Sequence, residues 1–449
     1  MSVRVPEHER LSLGNGVALI LVPRRDVPLV TFTALVRGGG LCDPSSRPGV
    51  ASLVAGLLEK GAGERNAYAF ADVVEGVGGS FGAGAGPEAI TVRGQFLARD
   101  QELMLELLAD ALLRPLLEAE ELEDLAARHI ELIKAAKDSD PAELIGTYGR
   151  AFLFGNHPYG RPLFGSEASL AAIDREDVQR YYDGQFGAER LILVLAGDLD
   201  MDLLARMAAD SFSRWPRTPA PPAALSRAGA LTGRRVLLVD FPGSVQTYFW
   251  IGNVGVDKRY PRRAALDLVN TLFGGRFTSL LNSELRIKSG LSYGARSSFA
   301  RGSVPGEFSL RSFAQTQNTG RALDLALRTL DRLRREGVSR EMLDSARAYT
   351  LGQYPLGLET AADWAGVLAE IELYGLGKGY IDDYPAQLAA VGVAEAQAVI
   401  EEAFPAADAV AIVAIGDAAK IRGAVGEYGP VSQMALTDPE FSGRWAPAR

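Results

Sequence analysis

The chain runs through one series of secondary-structure signals and then runs through it again. The first half opens with two strand-like runs, VALILVP and PLVTFTALVRGG, followed by the amphipathic helix GVASLVAGLLEKG and a second helical stretch at about 68–76. A glycine-rich segment, the strand AITVRGQF, helical patterns over about 98–113, 118–137, 140–154 and 174–185, and the strand RLILVLAGDLD complete it. The second half repeats the order. RRVLLVDFPG and VQTYFWIGNVG come first, and helices fit about 260–273 and 276–288. Strands SYGARSSF and GEFSLRSF follow, then helices over about 317–335, 338–354 and 358–375, with more near 380–403, and a closing strand AVAIVAIGD. A Pro/Ala-rich stretch without periodicity, SRWPRTPAPPAALSRAGA, separates the two and reads as a semi-rigid linker. Internal duplication is the simplest account. Strands and helices are segregated, so the predicted class is α+β: two duplicated halves, each an antiparallel-rich sheet with helices packed on it. The boundaries fall at 1–215 for the N-terminal half, 216–230 for the linker and 231–449 for the C-terminal half.

A chain of 449 residues exceeds one ordinary domain, which agrees with two large halves. Its net charge of −9 argues against nucleic acid as the main partner, because phosphate binding needs a basic face. No apolar run approaches the ~18–20 residues of a membrane span, and MSVRVPEHERLSLGNG has no signal-peptide core. Cys42 is the single cysteine, so there is no intramolecular disulfide; before a turn, it reads as a small apolar filler. His8, His129 and His157 are far apart, and no pair has metal-ligand spacing. His129 reads as a solvated or capping residue and His157 as part of a turn. Glu118, Glu120, Glu121, Glu123 and Asp124 gather at a helix start, where the macrodipole favours negative charge.

Three places carry candidate chemistry. A glycine turn and the Asp43-Pro44 step lead into the first apolar helix, which carries Ser52, Ala55 and Gly56. Small residues at those positions let another helix pack closely. The stretch VGGSFGAGAGPEAITV contains Gly82 and Ala83. It does not open a helix as a dinucleotide fingerprint does, there is no GK[ST] P-loop, and glycine-rich strands pair weakly and bend easily. The segment LRIKSGLSY carries Arg286 and, seven residues on, Tyr293. Read alone, they are an exposed arginine and a half-buried strand tyrosine.

Taken together, LSLGNGVALILVP with its GG turn, HPYGRPLFG (157–165) and FGGRFTSLLNSELRIKSGLSYGARSS resemble the pitrilysin/insulinase family of zinc metallopeptidases. The resemblance covers nearly the whole chain, duplication included. It implies H-x-x-E-H on the first helix, where two histidines hold zinc and the glutamate activates a bound water. Here Ser52, Ala55 and Gly56 stand in those places. The family's third ligand, a glutamate on a later helix, aligns with Leu132 or Ile133, and Glu131 is off register. A catalytic zinc needs three protein ligands and an open position, so no metal is expected in this chain. The resemblance also makes Gly82 and Ala83 the counterparts of an Asn-Ala pair on an edge strand that binds peptide. Arg286 and Tyr293 become the Arg-Tyr pair that reaches substrate opposite the zinc. A guanidinium and a phenol suit the negative charge that peptide hydrolysis builds on the scissile carbonyl oxygen.

Arg-Tyr without zinc is the division of labour of heterodimeric members of that family. The expectation is therefore a non-metal subunit of a heterodimeric zinc metallopeptidase, inactive alone. It would pair with a homologous H-x-x-E-H-bearing subunit that holds the zinc and would act on unfolded peptides. The alternative is a catalytically inert structural or peptide-binding subunit of the same fold. A self-sufficient peptidase with an unusual metal site is disfavoured by the three histidines. Resemblance to exported bacterial relatives points to the periplasm rather than the cytoplasm.

Overall fold

The computed structural model describes residues 3–218 and 225–442; residues 219–224 of the 216–230 linker lie outside the described residues. The strands, in chain order, are β1 (Glu9–Ser12), β2 (Ala18–Pro23), β3 (Leu29–Arg37), the short pair β4 (Gly61–Ala62) and β5 (Arg65–Asn66), β6 (Ser80–Ala85), β7 (Ala89–Leu97) and β8 (Leu191–Gly197). The second half supplies β9 (Arg235–Asp240), β10 (Gln246–Val254), β11 (Ala295–Arg301), β12 (Pro305–Gln315), β13 (Ala411–Gly416) and β14 (Val431–Ala435).

Two six-stranded sheets result, ordered β1-β2-β8-β3-β7-β6 and β11-β12-β10-β13-β9-β14. From the β6 and β11 edges inward, the same sequence of partners recurs. Three antiparallel pairings are followed by one parallel pairing, β8 with β2 in the first sheet and β13 with β9 in the second. The far edges break the repeat, since β1 is antiparallel to β2 whereas β14 is parallel to β9. Every residue of β8 (LILVLAG) and β13 (AIVAIG) is buried. These strands are covered on both faces, so their sequences are continuous apolar runs rather than alternating ones. Edge strand β6 is nowhere buried.

Two compact units form, and they do not follow the chain halves. Among the described residues, one comprises 3–132, 162–218 and 355–382; the other comprises 133–161, 225–354 and 383–442. Each unit takes a helix from the opposite half of the chain. In the first unit, helix Ala361–Tyr374 places Ala365, Leu368 and Ala369 against Ile20, Val22, Ile192 and Val194. In the second, helix Ile145–Phe154 lies on β10 so closely that a Cβ on Gly149 would meet Trp250 at 2.5 Å. An arginine holds the C-terminal carbonyls of each exchanged helix. Arg37 donates to Leu373 and Glu372 at 2.6 and 2.9 Å, and Arg235 donates to Phe152 and Leu153 at 2.5 and 2.9 Å. Cations at helix C-termini satisfy the last carbonyls and favour the macrodipole.

Most elements fall within a few residues of their expected positions. Others do not. The stretch 276–288, expected as one helix, is a short α-turn Leu280–Asn282 followed by a π-helical segment Ser283–Lys288. The amide of Ser289 donates to the carbonyl of Glu284, five residues back, at 3.2 Å. The helical patterns near 380–403 form three helices, Gly379–Asp382, Tyr384–Ala390, which begins with Pro385 in its first turn, and Val393–Ala403, which follows Gly392. Helices Met201–Phe212 and Ala418–Gly426 and strand β14 were not among the expected elements, whereas the glycine-rich segment forms the edge strand β6.

Candidate functional site

In the first unit, the buried carboxylate of Asp43 organises the motif helix Val50–Leu57. It accepts from the amides of Gly49 and Ala51 at 2.7 and 2.8 Å, and so satisfies donors that a helix N-terminus leaves open. Gly49, at φ +103, makes the turn into the helix. Ser52 and Ala55 are buried. A Cβ on Gly56 would lie 2.6 Å from Leu125 Cδ2, so the later helix, Ala119–Ser139, occupies the space a larger side chain would need. Leu132 is exposed and Ile133 is buried, both hydrocarbon. This donor set does not fit a catalytic zinc, and among the described residues no three His, Cys, Asp or Glu side chains cluster in a way that could hold a metal.

Just past the motif helix stands a residue that sequence reasoning passed over. Glu59 Oε1 accepts the amide of Ala83 on edge strand β6 at 3.3 Å. Burial pushes its carboxyl above the usual range, opposed by the Ala83 amide, Lys60 and Arg128. Next to Ala83, Gly82 has open space around its Cα, where an added Cβ would meet nothing within 4 Å. His129 is half-buried rather than solvated. Its Nδ1 has no partner among the described residues, its ring stands edge-on to Phe164 at 6.4 Å, and burial and then Arg128 lower its pKa. His157 is a turn residue. Its Nδ1 accepts the amide of Tyr159 at 3.1 Å, which leaves Nε2–H to donate to the carbonyl of Ser226 at 2.9 Å.

Arg286 and Tyr293 both belong to the second unit, and local structure brings them together. Ser279 caps the segment, and Asn282 ties it down. The Asn282 side chain donates to the carbonyl of Phe277 at 2.7 Å and accepts the amide of Ala295 at 3.3 Å. Glu284 receives Lys288 and Arg332, each at 2.9 Å. The loop to β11 is held by Ser292, whose hydroxyl donates to the carbonyl of Gly294 at 2.9 Å and accepts from Ser312 at 3.0 Å. On this frame the Arg286 guanidinium lies 4.8 Å from the ring centroid of Phe277 and 5.9 Å from that of Tyr293. Tyr293 is 81% exposed, not the half-buried strand residue it resembles in isolation. π-helical turns are concentrated at functional sites, and Arg286 sits on one.

Arg286 also lines a cavity of about 570 Å³, whose wall includes Arg276, Arg296, Arg311, Tyr248 and Tyr349. Among the described residues, no acidic one lines it. Arg276 donates to the carbonyl of Ser345 at 3.1 Å and lies 5.9 Å from the Tyr349 ring. Sequence reading missed Arg276, Arg296 and Arg311. Two of them are visible as single arginines in successive strands, SYGARSSF and GEFSLRSF, but the hairpin register that makes them neighbours is not.

The peptidase M16 model named insulinase matches residues 21–167, and the model named peptidase M16 inactive domain matches residues 172–349. The chain belongs to the pitrilysin/insulinase family. A protein of Mycobacterium tuberculosis named an uncharacterized zinc protease is 28% identical over 369 residues, 82% of this chain and 84% of that protein. A non-peptidase homolog of Helicobacter pylori is 24% identical over 337 residues, 74% of this chain and 77% of that protein. Among solved structures, the peptidase M16 inactive domain from Pseudomonas fluorescens superposes with a TM-score of 0.85 at 24% identity, over 92% of this chain and 98% of that one. A Helicobacter pylori protease superposes at 0.83 with 19% identity, over 91% and 99%. These likenesses at low identity establish the M16 fold. Among the described residues, no helix is long and apolar enough to cross a membrane.

Proposed function

We propose that this chain is the non-metal subunit of a heterodimeric zinc metallopeptidase, inactive alone, that binds unfolded peptide and contributes Arg286 and Tyr293 to hydrolysis. One observation carries the reading: Arg286 and Tyr293 are held side by side on a built loop, in a chain whose zinc-motif positions are hydrocarbon, hydroxyl and glycine. In this reading a homologous subunit bearing H-x-x-E-H holds the zinc, which polarises the scissile carbonyl and activates water. Arg286 orients the peptide backbone by donating to its carbonyls, and the exposed Tyr293 phenol donates to the scissile oxygen as charge builds there. Edge strand β6, with Gly82 and Ala83, offers backbone groups for strand addition.

Tyr293→Phe removes only the donor. In the assembled pair it is expected to lower turnover by about 10²–10³, the usual cost of losing one oxyanion donor, without weakening assembly. Steady-state cleavage of a quenched fluorescent peptide checks this, and unchanged turnover would remove the assigned role. The other reading, an inert structural or peptide-binding subunit, is favoured by the relative named a non-peptidase homolog and requires that unchanged turnover.

A further inference from the structure

Cross-strand registry places Arg296 of β11 directly opposite Arg311 of β12. Directly opposed residues of an antiparallel pair share a face, and like charges there are destabilising. The neighbouring pair, Ser298 and Ser309, has its hydroxyls 3.2 Å apart, so the two strands are closely in step here. Neither arginine has an ion pair among the described residues, nor do Arg276 and Arg286, and all four line the same cavity. Arg311 is partly buried, and an added Cβ on Gly146 would lie 2.7 Å from its Nη2, while its Nε has no hydrogen-bond partner among the described residues. Two acidic groups act on this lining. Glu307 opposes the effect of burial and of Arg150 and Arg296 on Arg311, but it is itself within 3.7 Å of Arg150. Asp140 acts on Tyr248. Neither lines the cavity.

Four guanidiniums without an ion pair among the described residues, two of them set against each other, form an incomplete site in a chain whose net charge is −9. The group that completes it is an anion. Arginine's planar fork matches carboxylate geometry, and the tyrosine and phenylalanine rings of the wall suit the hydrocarbon flanking such a group. We infer that this cavity takes a peptide carboxylate, so that the chain selects acidic segments among unfolded peptides. The inference rests on the peptide-binding reading above. An Asp or Glu side chain and a free C-terminus share this chemistry.

The test is fluorescence anisotropy of the full chain with a short unstructured peptide rich in Glu, its Gln counterpart, and C-terminally amidated forms of both. Charge-assisted hydrogen bonds contribute ~1.5–3 kcal/mol, so the Glu peptide is expected to bind about ten- to a hundredfold more tightly than the Gln peptide. The preference should shrink with added salt and in Arg311→Gln. Arg296→Gln, on an exposed edge position, provides the same test if Arg311→Gln disturbs packing against Gly146. Amidation that removes most of the binding assigns the cavity to the C-terminus; insensitivity to amidation assigns it to side chains. Equal binding of Glu and Gln peptides that amidation leaves unchanged would overturn the inference and leave peptide binding standing. Binding of neither would overturn both.

Discussion

At the scale of single residues, replacement of the family's zinc-motif residues is accompanied by local contacts that each have a physical consequence. Gly56 admits Leu125 where a ligand side chain would project. Glu59 binds the outward amide of Ala83, so a peptide adding to β6 must displace that hydrogen bond. Because burial raises the Glu59 pKa, the folded chain holds this proton more tightly than the unfolded chain. The contribution of Glu59 to stability is present below the ordinary carboxylate range and is lost as pH rises through the raised value. Glu59→Gln is therefore expected to raise the melting temperature at neutral pH and to change it little in acid. A pair of thermal melts checks this, and a melting temperature lowered at neutral pH would contradict it. The missing zinc ligands were legible in the sequence, because Ser52, Ala55 and Gly56 follow a marked turn. Glu59 was not, because its partner is a backbone amide brought near only by the fold.

Among the elements, edge strands β6 and β11 occupy equivalent places in the two sheets yet differ in character. β6 is glycine-rich and weakly specified; β11 carries Arg296 against Arg311. Removing that opposition should stabilise the free chain. Arg296→Gln is expected to raise the unfolding free energy by about 0.2–1 kcal/mol, read as a higher denaturant midpoint at unchanged slope, while acidic-peptide binding falls. A variant that is more stable but binds less is the signature of charge retained for a ligand. Strand positions were readable from alternation and apolar runs, as for β8 and β13. The π-helical segment under Arg286 was not, since α and π turns place the same apolar residues inward. The exchange of helices 145–154 and 361–374 between units was also hidden, because an amphipathic stripe does not say which sheet it will cover.

For the whole molecule, duplication gives two units with the same sheet core and divergent surfaces. One carries the altered zinc-motif helix and the other the Arg286–Tyr293 pair beside an arginine-lined cavity. The repeat order and the family were legible along the sequence because they are distributed over hundreds of residues. The most direct test of the central claim is cleavage of a quenched fluorescent peptide by this chain alone and after mixing with an H-x-x-E-H homologue from the same source. Cleavage is expected in the mixture, abolished by a chelator, and none by this chain alone. Cleavage by this chain alone, or a stable mixed complex that leaves the peptide intact, would contradict it.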